Sequence, residues 1–260
     1  MIPKILHFIW LGNLDIPTCV NTWITTHTDW DIHIWDENAI KKLELVNSEI
    51  YNIPNNKYNQ KSDIARLEIL YKYGGVYVDS DIINFKKINT LLTHDTFFVQ
   101  EKLGLISNSI IGSIPKNDIL YKMINHIKLN FSASKAVWKT TGPGVITTFL
   151  KNNRLIYIPK SHSKYDIKSL SDKLTIYPYY YINFMTDAIK IFRHKPFKIS
   201  ELNNMTRNKD LKYLVCNKVN VDKIYGVQLW MGGKVNLYSQ GINIDFVRKN
   251  INKYMKTIID

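Results

Sequence analysis

Cysteine is almost missing from this chain of 260 residues. Only Cys19 and Cys216 occur, far apart and outside any Cys-x-x-Cys spacing. That excludes a disulfide scaffold and a zinc ribbon, and it favours a reducing compartment, the cytoplasm. The seven histidines include no His-x-x-x-His pair of the kind that holds zinc on a helix. No apolar run approaches the roughly 20 residues of a membrane span. The apolar stretch from Ile5 to Trp10 is too short for a signal-peptide core and leads to no small-residue cleavage site. Phosphate and nucleophile motifs are missing as well. Gly232-Gly233-Lys234 is followed by Val235 and lacks the earlier glycine of a P-loop, and Gly142-Pro143-Gly144 has no third glycine for a dinucleotide fingerprint. No Gly-x-Ser-x-Gly elbow appears.

Acidic residues are also in short supply, 22 against 35 basic ones, for a net charge of +13. Such a surplus raises nucleic-acid binding as a function class. The lysines are dispersed, however, and no RNP aromatic motif, Cys-His finger or basic helix with heptads accompanies them. Nucleic acid is therefore not an expected partner, and a basic nucleic-acid-binding protein stays open as an alternative on net charge alone. A cationic surface that attracts nucleotides, acidic acceptors or anionic lipid heads is the modest inference. Apolar and aromatic residues make up 45% of the chain, enough to exclude wholesale disorder and to bury one sizeable core.

What is present concentrates between Ser62 and Ile82. Ser62 suits an N-cap with Asp63 in the first helical turn, where the dipole favours an anion, and Gly74 reads as the helix stop. Val76 to Ile82 alternates with period two, which predicts a strand with Tyr77, Asp79 and Asp81 on one face. Two carboxylates that close repel unless a cation sits between them, and oxygen-only ligands suit Mg²⁺ or Mn²⁺. An EF-hand loop is ruled out, because Ile83 and Asn84 stand where Asp or Asn and then Gly are required. Asp63 and Arg66, three apart, share a helix face. That spacing fits either an ordinary ion pair or a cleft wall in which Arg66 holds a phosphate or sugar oxygen and Asp63 accepts from sugar hydroxyls.

Ser62-Asp63-x-x-Arg66 followed by Leu70-Tyr71-x-x-Gly74-Gly75-Val76-Tyr77-x-Asp79-x-Asp81 resembles the DXD-containing glycosyltransferases of the sugar-binding-region family. That family includes initiating mannosyltransferases, capsular-polysaccharide transferases and the clostridial glucosylating toxins. The opening Ile2-Pro3-Lys4-Ile5-Leu6-His7-Phe8-Ile9-Trp10-Leu11-Gly12 is similar to its first strand. Looser matches follow at Trp35-Asp36, Asn108, Thr141-Gly142-Pro143 and Tyr177-Pro178. The resemblance implies a GT-A-type nucleotide-sugar-binding α/β sheet flanked by helices, with a helical or irregular C-terminal part. It implies a single domain over 1–260, in which 1–115 form the nucleotide-sugar-binding core and 116–260 the acceptor side and closure. It implies Asp63, Arg66, Asp79 and Asp81 as catalytic residues, and Phe8, Ile9, Trp10, Tyr77 and Asn108 against the nucleotide sugar. Asp79 and Asp81 would hold the metal, and the configuration of the sugar would be retained. UDP-sugar is favoured over GDP-mannose as donor, and the acceptor is a glycan, a lipid-linked glycan or a protein.

The late segment Tyr225 to Lys234 departs from the family pattern. Gln228 stands where a histidine is common, and Gly232-Gly233 replaces Ser-Trp. Gln228 still offers an oxygen to the metal, and Trp230 can cover the diphosphate. This departure keeps a catalytically silent nucleotide-sugar-binding module open as an alternative. Elsewhere apolar strands over 4–10, 31–35, 96–100 and 109–112 alternate with helical patterns, as an α/β sheet requires. Ligands of such sheets lie beyond the carboxyl ends of the strands, which predicts Trp10, Asp79 and Asp81 at one edge. A C-terminal amphipathic stripe through Ile244, Val247, Ile251, Tyr254 and Ile258 predicts a helix docked on the core, with peripheral contact to an anionic membrane as the alternative.

Overall fold

The computed structural model describes residues 1–17, 19–54, 56–101, 104–158, 167–182 and 223–228. Trp230 and the expected C-terminal helix lie outside them. The strands are β1 (Ile5–Ile9), β2 (Asp31–Trp35), β3 (Gly75–Val78), β4 (Ile82–Asn84), β5 (Thr96–Gln100), β6 (Ile106–Ser113), β7 (Ile156–Tyr157), β8 (Lys168–Ser169), β9 (Leu174–Tyr177) and β10 (Gly226–Gln228). The helices are α1 (Cys19–Thr26), α2 (Glu37–Lys41), α3 (Ser48–Tyr51), α4 (Tyr58–Tyr73), α5 (Asp118–Asn130), α6 (Val137–Thr140) and α7 (Pro143–Asn152). They fall into two compact units. The first holds Met1–Ile16, Thr28–Ser80 and Ile88–Tyr179; the second holds Pro17–His27, Asp81–Lys87 and the described residues from Tyr180 onward.

The first unit is a mixed α/β layer structure. Its six-stranded sheet runs β2-β1-β3-β6-β5-β9. Strand β6 is antiparallel to β3 and β5, and the remaining neighbours pair in parallel. The expected strands over 31–35 and 96–100 form with those bounds, whereas the strand expected over 109–112 extends to Ile106–Ser113. Ile64, Leu67 and Leu70 of α4 join Leu120, Met123 and Ile127 of α5, Ile146 and Leu150 of α7, and Tyr77, Phe98 and Ile111 of the sheet in one apolar core. Burial of that surface, at about 25 cal/mol per Å², is the main term holding the layers together. Leu6, Phe8, Val76 and Val78, of opposite parity, are buried too, as befits central strands.

Helix α4 begins a full turn before the expected Ser62. Lys57 is its N-cap and donates no side-chain cap. Nothing in Tyr58-Asn59-Gln60-Lys61 opposes helix formation, so the cap-like Ser62 is passed over. Asp63 consequently sits in the second turn and relies on a side-chain partner rather than on the helix dipole. The helix stops where expected, at Gly74, with φ +68° and its N–H on the Leu70 carbonyl. At Gly75, φ is +91°, and a Cβ would stand 2.6 Å from the Ile5 carbonyl oxygen. Only glycine makes this turn.

Strand β3 also ends earlier than the alternation predicts, at Val78. The Asp79 N–H still donates to the Ser109 carbonyl at 2.7 Å. The chain then turns through Ser80 and Asp81, and β4 pairs with β10 in the second unit. Tyr77, Asp79 and Asp81 therefore do not lie on a single strand. In that second unit Trp23 of α1 donates Nε1–H to the Ile82 carbonyl at 2.8 Å, and Thr22 Oγ1 accepts from the Asn84 N–H at 2.9 Å.

His7 ties β1 to the α4–β3 turn. Its Nε2 lies 2.8 Å from the Gly74 carbonyl oxygen, and its Nδ1 lies 3.2 Å from Trp35 Nε1. Indole N–H only donates, so Nδ1 accepts and Nε2 carries the proton given to Gly74. Burial pushes the imidazole from its ordinary 6.5 down to about 4, with His33 adding to the shift. A depressed folded value contributes stability above pH 6.5 that is lost as the pH falls towards 4, up to about 3 kcal/mol. The unfolding free-energy difference between the native chain and a His7→Gln variant should therefore shrink by about 2 kcal/mol between pH 7 and pH 5. A difference that stays flat in denaturant titrations at those two pH values would contradict a neutral buried His7.

Candidate active site

Helix α4, the end of β3, strand β6 and the start of α7 converge within the first unit. Arg66, 4% exposed, is the hub. Its Nη2 lies 3.0 Å from Asp63 Oδ1, and its Nη1 lies 3.1 Å from Asp79 Oδ1 and 2.5 Å from the Asn108 carbonyl oxygen. Nε donates to the Ser62 carbonyl at 3.1 Å. The guanidinium also lies over the Tyr77 ring, 4.5 Å from its centroid, and the Tyr77 hydroxyl donates to Asp79 Oδ1 at 2.7 Å. At least four of its five N–H groups thus point at protein acceptors. In this arrangement Arg66 orients carboxylates, and a bidentate grip on a phosphate is not open to it.

Asp63 is held from three sides. Oδ1 accepts from Arg66 and from Asn108 Nδ2 at 2.7 Å, and Oδ2 accepts from the Thr141 hydroxyl at 3.1 Å. A carboxylate has about four acceptor positions, so one on Oδ2 remains for an incoming hydroxyl. Burial raises its pKa to about 6, against the opposing pull of Arg66 and the two side-chain donors. Asp79 is also raised by burial, with Arg66 and Tyr77 pulling the other way. The Asp79 side chain is 24% exposed, whereas that of Asp63 is 8% exposed. Asp79 is thus the carboxylate of this cluster that meets solvent.

Of the remaining expected site residues, Trp10 follows the carboxyl end of β1, the parallel neighbour of β3, whose last residue Val78 precedes Asp79. It is half-buried, outside the apolar core, and donates Nε1–H to the Leu14 carbonyl at 2.6 Å. Phe8 and Ile9 are buried residues of β1, paired with β2 at Ile34 and Trp35. Asp81 and Gln228 belong to the second unit, both buried, and Gln228 stands in register with Ile82, the residue after Asp81. Among the described residues no cluster of three His, Cys, Asp or Glu side chains forms a metal centre. Asp79 in the first unit, and Asp81 and Gln228 in the second, each offer only oxygen as a metal donor, the ligand type that a hard divalent cation takes. Thr141 is the residue that sequence reasoning left out of the site. Its signal was the Thr-Gly-Pro triplet, in which Pro143 at the first turn of α7 fixes the helix start.

Ligands of an open α/β sheet lie beyond the carboxyl ends of its strands, and Asp79, paired with Arg66 of α4, stands just past one such end. Residues 15–98 match the family described as glycosyltransferase sugar-binding region containing DXD motif. An uncharacterized protein of Acanthamoeba polyphaga mimivirus is 32% identical over 70% of this chain and 36% of its own length. Inositol phosphoceramide mannosyltransferase 1 of Schizosaccharomyces pombe is 32% identical over 55% of this chain and 49% of its own length. The chain thus spans half or less of these two curated relatives. The solved PaToxG glycosyltransferase superposes with a TM-score of 0.50 at 26% identity, covering 58% of this chain and 69% of that one. Residues 15–98 thus resemble the sugar-binding region of the DXD glycosyltransferases, and the sheet is of the GT-A type.

Arg66 is what keeps two buried carboxylates charged, and breaking one partner of such a group costs about 3–5 kcal/mol. Arg66→Met should lower the unfolding free energy by about that amount at pH 8. The loss should be smaller at pH 5, because Asp63, already raised to about 6, can then take up a proton. Asp63 contributes stability at low pH that is lost as the pH rises through 6, the sense opposite to that of His7. An equal loss at both pH values in guanidinium titrations would show that the Asp63 charge is not what Arg66 stabilises.

Proposed function

We propose that this chain is a metal-dependent glycosyltransferase that moves a sugar from a nucleotide-sugar donor, with UDP-sugar favoured and GDP-mannose the second choice. The observation that carries the reading is the Asp63 carboxylate, fixed by Arg66, Asn108 and Thr141, with one acceptor position left beside the solvent-reaching Asp79. Asp63 takes a hydroxyl of the donor sugar, and Arg66 holds that carboxylate in place. Tyr77 keeps Asp79 oriented through its hydroxyl. Trp10 stacks on the nucleobase at the edge where β1 and β3 end, and Trp230 covers the diphosphate. Asp79, Asp81 and Gln228 are the residues that hold Mg²⁺ or Mn²⁺, which when bound supplies charge neutralisation for the departing nucleoside diphosphate. Retention of configuration follows from the family resemblance. The acceptor is a glycan, a lipid-linked glycan or a protein. The similarity to an inositol phosphoceramide mannosyltransferase favours a sugar or inositol head group carried on lipid, with peripheral contact at a membrane surface. No helix among the described residues is long and apolar enough to cross a membrane.

Two substitutions test this reading. Asp81→Ala should reduce metal-dependent release of UDP from UDP-sugars by about 100-fold or more, with the melting temperature preserved. Undiminished turnover in the folded variant would sink the metal role. Trp10→Ala should weaken UDP binding by about 1–3 kcal/mol, the range for base–aromatic stacking. Were Trp10 a core residue instead, affinity would hold while stability fell by about 3–5 kcal/mol. Calorimetric titration beside a melting curve separates the two.

A further inference from the structure

Trp138 is the most exposed tryptophan among the described residues, at 49%, whereas Trp23 and Trp30 are buried. It stands in α6, three residues before Thr141. Two glycines seat it. A Cβ on Gly144 would lie 2.6 Å from Trp138 Cε3, and a Cβ on Gly142 would lie 2.9 Å from Trp138 Cα. The ring is thus packed against bare backbone and held, although half of it meets solvent. The same point above Gly142 lies 3.3 Å from Asp63 Oδ2. Trp138 Cα is therefore within about 6 Å of the oxygen that keeps an acceptor position open, as the sum of those two separations requires. Lys139 Nζ lies 5.2 Å from the ring centroid, an exposed ammonium able to donate to a hydroxyl near the ring.

A large aromatic face left in water loses the gain of burial, and a rigidly seated indole beside a polar pocket can regain it against the apolar face of a ligand. A pyranose has such a surface in its axial C–H face, with hydroxyls around the rim within reach of Lys139. Asp63 is 6% exposed and Trp138 49%, so the ring meets solvent where the carboxylate assigned to the donor sugar does not. We propose that Trp138 is the stacking platform for a pyranose ring of the acceptor. This assignment rests on the transferase reading for the identity of the ring, but the platform itself rests on the geometry of 138–144.

The test uses the full chain, Trp138→Ala and Trp138→Phe, each with its melting temperature measured, on a soluble glycan array with UDP or GDP and Mn²⁺ present. Native protein should retain glycans, Trp138→Ala should lose about tenfold in affinity, and Trp138→Phe should recover most of it. Glycan binding equal in native protein and Trp138→Ala, or no glycan bound by native protein, would overturn the platform. Titrations with UDP, GDP and their sugar conjugates run alongside. Trp138→Ala weakening the conjugate relative to the bare nucleotide, with glycans unaffected, would move the ring to the donor and overturn the acceptor assignment. Glycan binding through Trp138 without any nucleotide binding in native protein would leave the platform standing and remove the transferase reading.

Discussion

Everything at the candidate site depends on one buried guanidinium. Taking charges out of water costs several kcal/mol each, and Asp63, Arg66 and Asp79 together carry a formal net charge of −1 in a place largely closed to solvent. The cost is met because Arg66 answers four acceptors at once: the Ser62 carbonyl of its own helix, Asp63 one turn back, Asp79 beyond β3 and the Asn108 carbonyl of β6. Planarity matters here. Lysine would supply the charge but could not hold three acceptors in the plane of a fork while its face lies on Tyr77. A group so committed does not grip a ligand. It fixes where the carboxylates point, and they do the recognising.

The backbone brings those elements together through the Gly74-Gly75 turn. It reverses α4 into β3 in two positive-φ residues, so the second turn of α4 and the carboxyl end of β3 come to the same end of the layer. His7 sets the other coordinate by binding Gly74 from β1, which fixes β1 beside β3 and carries Trp10 to the same edge. Position of the site and stability of the turn are in this sense one property. A proton on His7 would add to Nδ1, displacing the Trp35 N–H and charging a buried ring, while Nε2–H would still donate to Gly74.

Much of this was legible as pattern. The strands over 31–35 and 96–100 appear with the bounds their alternation predicts, because β-branched and aromatic residues there meet no competing turn chemistry. Asp63, Arg66, Tyr77, Asp79 and Asn108 do come together, as the motif spacing implies. The start of α4 was not legible, since Ser62 is a good cap in isolation but the helix preceding it is equally allowed. Nor was the end of β3. Period-two alternation through Asp81 is compatible with a strand, and what interrupts it is the pairing of β4 with β10, a partner some 140 residues away in sequence that periodicity cannot see. Thr141 escaped for the same reason: its hydroxyl matters only because α7 starts beside Asp63.

The pairing of a pKa near 6 with three fixed donors explains what kind of ligand Asp63 can take. A carboxylate that accepts from Arg66, Asn108 and Thr141 has its geometry set before any substrate arrives, so little reorganisation is needed to receive one more hydrogen bond. The remaining position suits a neutral donor such as a hydroxyl. An anion would be repelled by a cluster that is already net negative, and a cation would gain more at Asp79, where water reaches. Burial thus separates the two carboxylates by chemistry, the deep one suited to a neutral hydroxyl and the solvent-reaching one to positive charge. The DXD triplet alone does not convey that division. It follows from Asp63 lying inside a helix whose charged face is turned inward.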